Sequence, residues 1–223
     1  MTIQKACSTC GSPCHRQCKI LSGVHVIVSP DLAPRAIPCF NYMQTDILVL
    51  SMLSGLAAHD FSWAVDSELN ELLKDQVSQR GFSGEMGTYL LVDLKALGRQ
   101  RDDIRYVLIC GVGFSHKFNK KAVCVVFGLG VDMARKLGVK KVTIPIPPFR
   151  LTADRLNLKG TAAILRCRLA REAEQHKGMN LLKEVEVFLT PQAKHYFEEG
   201  LEVGGELCPG CKLSRLDTVR RRL

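Results

Sequence analysis

The chain has 223 residues, with 31 Lys+Arg against 22 Asp+Glu and a formal net charge of +9. Its 46% hydrophobic and 24% charged residues are an ordinary globular composition, which excludes a disordered protein, a collagen and a disulfide-dense mini-scaffold. The first residues lack the apolar core of a signal peptide, and the longest apolar run, Ala122 to Val131, is about half of what a membrane helix needs. A cytoplasmic protein without membrane contact is the expectation, and in a reducing compartment clustered cysteines point to metal before disulfides.

The first twenty residues carry Cys7, Cys10, Cys14 and Cys18, and Cys7-Ser8-Thr9-Cys10-Gly11 is a Cys-x-x-Cys knuckle. A second knuckle, Cys208-Pro209-Gly210-Cys211, lies near the other end. A two-residue spacer turns two thiolates towards one ion, and two knuckles complete a tetrahedral structural zinc site. Cys7, Cys10, Cys208 and Cys211 are therefore the expected Zn2+ ligands, which requires the termini to meet, as domain termini often do. Cys14 and Cys18, with His15 between them, are surplus to four ligands. They leave open a second ion, exchange for one knuckle, or an all-N-terminal set suited to zinc or an iron–sulfur cluster. A four-ligand site has no open position, so it implies architecture rather than catalysis.

Short Val/Ile/Leu runs predict strands at Val24–Val28, Asp46–Met52, Thr88–Val92, Tyr106–Gly111, Lys141–Ile146 and Glu184–Leu189. Helical spacing predicts helices over Ser62–Arg80, Lys120–Leu137, Ala153–Gly178 and Pro191–Leu201, with Gly81, Gly138 and Gly178 just past three of their ends. Buried strands alternating with helices predict a three-layer α/β/α sandwich on a mixed, mostly parallel sheet. The expected division is a Cys-rich segment 1–23, an α/β domain 24–203, and a basic Cys-x-x-Cys tail 204–223 packed against the first. Cys39, Cys110, Cys124 and Cys167 stand alone in apolar or helical surroundings and read as core.

Ligands of open α/β sheets bind beyond the carboxyl ends of the strands. Cys110-Gly111-Val112-Gly113-Phe114-Ser115-His116 sits there, and amides of Gly111 and Gly113 could cradle a phosphate that His116 contacts. Arg150, after the Pro145–Pro148 stretch, offers a guanidinium to an anion. His59 and Asp60 are adjacent and suggest an acid–base pair, and Cys110 with His116 a nucleophile pair. No Gly-x-Ser-x-Gly elbow, Walker loop or His-Glu-x-x-His motif occurs. The basic tail, with Lys212, Arg215, Arg220, Arg221 and Arg222, would favour a nucleic-acid backbone without sequence specificity.

From Asp46 to about Leu201 the chain resembles a macro-like domain, specifically the N-terminal domain of leucyl aminopeptidases. Arg80-Gly81-Phe82-Ser83-Gly84-Glu85-Met86-Gly87-Thr88 is similar to that family's G-x-F-x-G-x-x-G turn into a strand. Tyr106 to Gly113 is similar to its RVLLVGLG strand and loop. The resemblance implies an α/β macro fold, and it places Asp46 where a macro-domain acid contacts adenine. The peptidase's two-metal catalytic segment has no counterpart here, so aminopeptidase activity is not expected. The expected function is a non-catalytic binding or regulatory module for an anionic nucleotide-derived small molecule or nucleic acid, with a protein partner also open. The alternatives are a hydrolase acting on ADP-ribosyl or related phosphoesters, through Asp46, His59 or His116, and a non-catalytic subunit of a leucyl-aminopeptidase-like assembly.

Overall fold

The computed structural model describes residues 3–6, 13–29, 44–55, 60–99, 101–114, 119–146, 158–175, 181–189 and 191–202. Eight strands form one sheet in the order β1-β2-β3-β8-β7-β4-β6-β5. They are β1 (Ile3–Ala6), β2 (Pro13–Leu21), β3 (Val24–Ser29), β4 (Thr45–Met52), β5 (Tyr89–Asp93), β6 (Ile104–Gly111), β7 (Lys141–Pro145) and β8 (Glu184–Phe188). The described helices are α1 (Ser67–Gln79), α2 (Lys120–Leu137), α3 (Leu158–Gln175) and α4 (Pro191–Glu202). The mixed, mostly parallel α/β sandwich expected from the sequence is what the structure contains. Strands β3, β8, β7, β4 and β6 run parallel, while β1, β2 and β5 pair antiparallel at the flanks.

Alternation along the central strands feeds two cores. On β4, Ile47 and Val49 face α2, α3 and α4 together with Leu108 of β6, Val142 of β7 and Val185 of β8. Leu48, Leu50 and Met52 face the other way, onto Leu69, Leu73 and Val77 of α1. A fully buried Val, Leu or Phe side chain contributes roughly 1.5–3 kcal/mol, so these strands are held from both faces. The α1 face changes character across the sheet. On the other face from α2, α3 and α4, β3, β8 and β7 bury polar Ser29, Glu186 and Thr143 at 0% exposure beside Ile27 and Phe188. Ser29 Oγ donates to Glu186 Oε1 at 2.7 Å, and Lys141 Nζ lies 3.0 Å from Glu186 Oε2 and 2.6 Å from Glu184 Oε1.

Helix ends follow local chemistry. Asp66 caps α1 by accepting from the Leu69 amide at 2.9 Å, which places the helix start after Ser62, because 61–65 form a turn first. Asn119 caps α2, and Gly138 closes it with φ of 63°, a left-handed cap that glycine adopts without a Cβ clash. Strands β1 and β2 lie within 1–23, which the sequence sets apart as a cysteine-bearing end. The sheet incorporates both as its flank.

Candidate functional site

The five parallel strands end together, at Ser29, Met52, Gly111, Pro145 and Phe188, and this edge is where ligands of open α/β sheets bind. Two described turns meet there. After β4 come Leu53, Ser54 and Gly55, and after β6 come Val112, Gly113 and Phe114. The turn Gly84–Thr88 that precedes β5 closes against both.

The glycines of the β6 exit serve packing. A Cβ on Gly111 would lie 2.1 Å from the Glu85 carbonyl oxygen and 2.7 Å from the Gly84 carbonyl carbon. Gly111 N–H donates to Thr88 O at 2.9 Å, Val112 N–H to Met52 O at 3.0 Å and Gly113 N–H to Gly84 O at 3.0 Å. Three successive amides are therefore occupied by protein carbonyls, and the phosphate cradle expected of Gly111 and Gly113 is not formed by them. The backbone at Gly113 has φ of 74°, so glycine is required there by conformation as well.

What faces this edge instead is Ser54, Gly55 and Phe114. Ser54 is 8% exposed, its amide donates to Gly113 O at 2.9 Å, and its buried hydroxyl has no hydrogen-bond partner among the described residues. A buried hydroxyl left unpaired costs about 1–3 kcal/mol, which a ligand acceptor or donor would relieve. Gly55 has φ of 78°, and a Cβ there would stand 3.1 Å from the half-exposed Phe114 ring. Sequence reasoning missed Ser54 and Phe114. The available signal was their position, immediately beyond two parallel strands.

Asp46 lies elsewhere. It stands at the opposite end of β4, about 20 Å of strand from Met52. Its Oδ2 accepts the Lys140 amide at 2.9 Å and the Lys141 amide at 2.8 Å, tying β4 to the start of β7. The structure thus does not bring Asp46 together with Gly111 and Gly113. His116 and Arg150 fall outside the described residues, as does His59. The neighbour of His59, Asp60, accepts from Ser62 N, Ser62 Oγ and Asn70 Nδ2 at 3.0, 2.7 and 3.0 Å, and the Ser62 bonds foremost hold its carboxyl below the usual range. It fastens the turn into α1. Cys110 is buried, and burial pushes its thiol well up, the reverse of nucleophile activation. Cys124 is core too, Cys167 is partly buried against the same core cluster, and Cys39 lies outside the described residues.

The proposed zinc ligands Cys7, Cys10, Cys208 and Cys211 also lie outside the described residues, and the side chains of Cys14, His15 and Cys18 on β2 are not described. Ala6 pairs with Pro13 at the start of β2, and Lys19, six residues along the strand, binds the Glu202 carboxylate at the last turn of α4. Among the described residues no three His, Cys, Asp or Glu side chains converge as a metal site, and no helix is long and apolar enough to cross a membrane.

Comparison with known proteins decides the family. The family described as "Cytosol aminopeptidase family, N-terminal domain" matches residues 49–172, more than half of the chain. The chain belongs to that family. Among solved structures it is similar to the Oceanobacillus iheyensis macrodomain with ADP, at 12% identity and a TM-score of 0.58 over 84% of this chain and 95% of that one. It is similar to the Trypanosoma brucei macrodomain in complex with ADP at 16% identity and a TM-score of 0.54, covering 82% and 70%. A tomato leucine aminopeptidase mutant matches at 14% identity and a TM-score of 0.51, over 72% of this chain but 33% of the peptidase. No curated protein matches the sequence. The macro-like fold and the aminopeptidase N-terminal kinship expected from the sequence are both present. At these identities the structural likeness establishes fold alone, and the match stops within a third of the peptidase.

Proposed function

We propose that this family member is a binding or regulatory module that takes an anionic, nucleotide-derived small molecule at the carboxyl edge of its parallel strands. The observation that carries the reading is Ser54 at that edge, a buried hydroxyl without a partner among the described residues, next to Gly55, against which the half-exposed Phe114 ring lies. The macrodomains that share the fold and are described with ADP support the same ligand class. Asp46 is fastened to two main-chain amides and Cys110 is buried with its thiol pushed up, which counts against these two as hydrolytic groups. Isothermal titration with ADP-ribose and ADP tests the reading: saturable heat is expected, weakened about three- to tenfold in Ser54→Ala, as loss of one neutral hydrogen bond implies. Binding unchanged in that variant would remove Ser54 from the site.

A structural Zn2+ held by Cys7, Cys10, Cys208 and Cys211 is part of the same proposal and rests on the spacing of the two knuckles. Elemental analysis of purified protein should give one zinc per chain, lost in Cys208→Ser. Folded protein without zinc overturns it. Nucleic acid on the basic termini is the second partner class, and salt-dependent binding to random-sequence duplex separates it from the strand-edge ligand.

A further inference from the structure

Between α2 and α3 lies a cleft of about 310 Å³ that reaches Gly87, in the turn before β5. Its polar lining comes from Asp132 on α2 and from Arg168, Arg171 and Glu172 on α3. Arg168 is laid flat on α2. A Cβ on Gly128 would lie 2.9 Å from Arg168 Cζ and 3.1 Å from its Nε and one terminal amino group. Only the bare glycine backbone leaves room for the planar group. Arg168 Nε donates to Cys124 O at 3.1 Å, and among the described residues its two terminal amino groups make no hydrogen bond. The inner edge of the guanidinium is thus anchored and its outer edge is presented to the cleft.

The acids of the cleft have cations of their own. Asp132 pairs with Arg135 at 2.9 Å and Lys136 at 3.0 Å, and Arg135 Nε also lies 3.0 Å from Glu172 Oε1. Asp132 and Glu172 are thus engaged by Arg135 and Lys136, while Arg168 and Arg171, three positions apart on α3, share a helix face. A glycine in the middle of an 18-residue helix costs about 0.5–1 kcal/mol relative to alanine. Its observed use here is to seat an arginine in a fixed orientation, and a held planar fork is the arrangement that recognises phosphate oxygens in pairs.

We propose that the α2/α3 cleft is a second anion site, in which Arg168, seated on Gly128 and assisted by Arg171, binds the phosphate group of a small molecule. Inorganic pyrophosphate is the probe, titrated into full-length protein by calorimetry and by amide shifts in 1H–15N spectra. Saturable binding is expected, with the largest shifts at Gly128 and its α2 neighbours rather than at Ser54. Arg168→Gln should weaken it at least tenfold, and Arg168→Lys, which keeps the charge but loses the fork, should fall between. If Arg168→Gln does not fold, Arg171→Gln provides the same reading. ADP-ribose competing with pyrophosphate at Gly128 would identify a nucleotide phosphate as the occupant, and pyrophosphate binding without competition a free phosphate. No saturable binding, equal binding by the Gln variants, or shifts centred on Ser54 would each overturn the proposal. The strand-edge reading is tested by ADP-ribose at Ser54, so the two can fail separately.

Discussion

At Gly111 the group that comes close is a neighbouring backbone, and at Gly128 it is an arginine side chain. The missing Cβ at Gly111 admits the Glu85 carbonyl, and the adjoining amides close onto Thr88, Met52 and Gly84. The missing Cβ at Gly128 admits a guanidinium that lines the cleft between α2 and α3. In the first place close approach uses up hydrogen-bonding capacity, and in the second it orients capacity that remains. A glycine-bearing loop beyond a strand is thus a weak sign of a phosphate site until the partners of its amides are known, and a helix glycine can be the better one.

Alanine at the two positions should separate them most widely. Gly111→Ala drives a methyl into main-chain atoms that cannot rotate away, so we expect a loss of about 3 kcal/mol or more, at the upper end of overpacking costs. Gly128→Ala meets only the movable end of a side chain and gains helix propensity, so its unfolding free energy should change by less than about 1 kcal/mol while pyrophosphate binding weakens. Urea titration of both variants checks the pair. Equal destabilisation would break the contrast.

A smaller effect comes from the polar half of the sheet. Burial disfavours the Lys141 ammonium, but the Glu186 and Glu184 carboxylates outweigh it and raise its pKa above the ordinary lysine value. That stabilisation is complete below the unfolded pKa of about 10.4 and is lost as pH rises through the folded value. Lys141→Met should cost roughly 2–3 kcal/mol at neutral pH, because it removes the cation beside buried Glu186. The variant should also lose less stability than the parent above about pH 10. Parallel alkaline limbs for the two proteins would show that the pair contributes nothing.

Much of the fold was legible because the chemistry was local. Ile47-Leu48-Val49-Leu50 has to be buried on both faces, and α2 was placed from Lys120 to Leu137 by its apolar period and by Gly138. Strand β2, Pro-Cys-His-Arg-Gln-Cys-Lys-Ile-Leu, carries almost no apolar pattern, since a flanking strand is recruited by backbone pairing with β3. The candidate site was less legible for a related reason. Asp46 and the Gly111–Gly113 amides are the right groups for a ligand, but register decides whom they meet, and they meet Lys140, Lys141, Thr88 and Gly84. Ser54 carried no motif at all and is set apart by a buried hydroxyl without a partner among the described residues.

The most direct measurement is calorimetric titration of the full-length protein with ADP-ribose, read together with the amide shifts around Ser54 and Phe114. Saturable heat with shifts at those two residues is the predicted result. Absence of heat at millimolar ADP-ribose, or shifts confined to other parts of the sheet, would contradict a nucleotide-derived ligand at the strand edge.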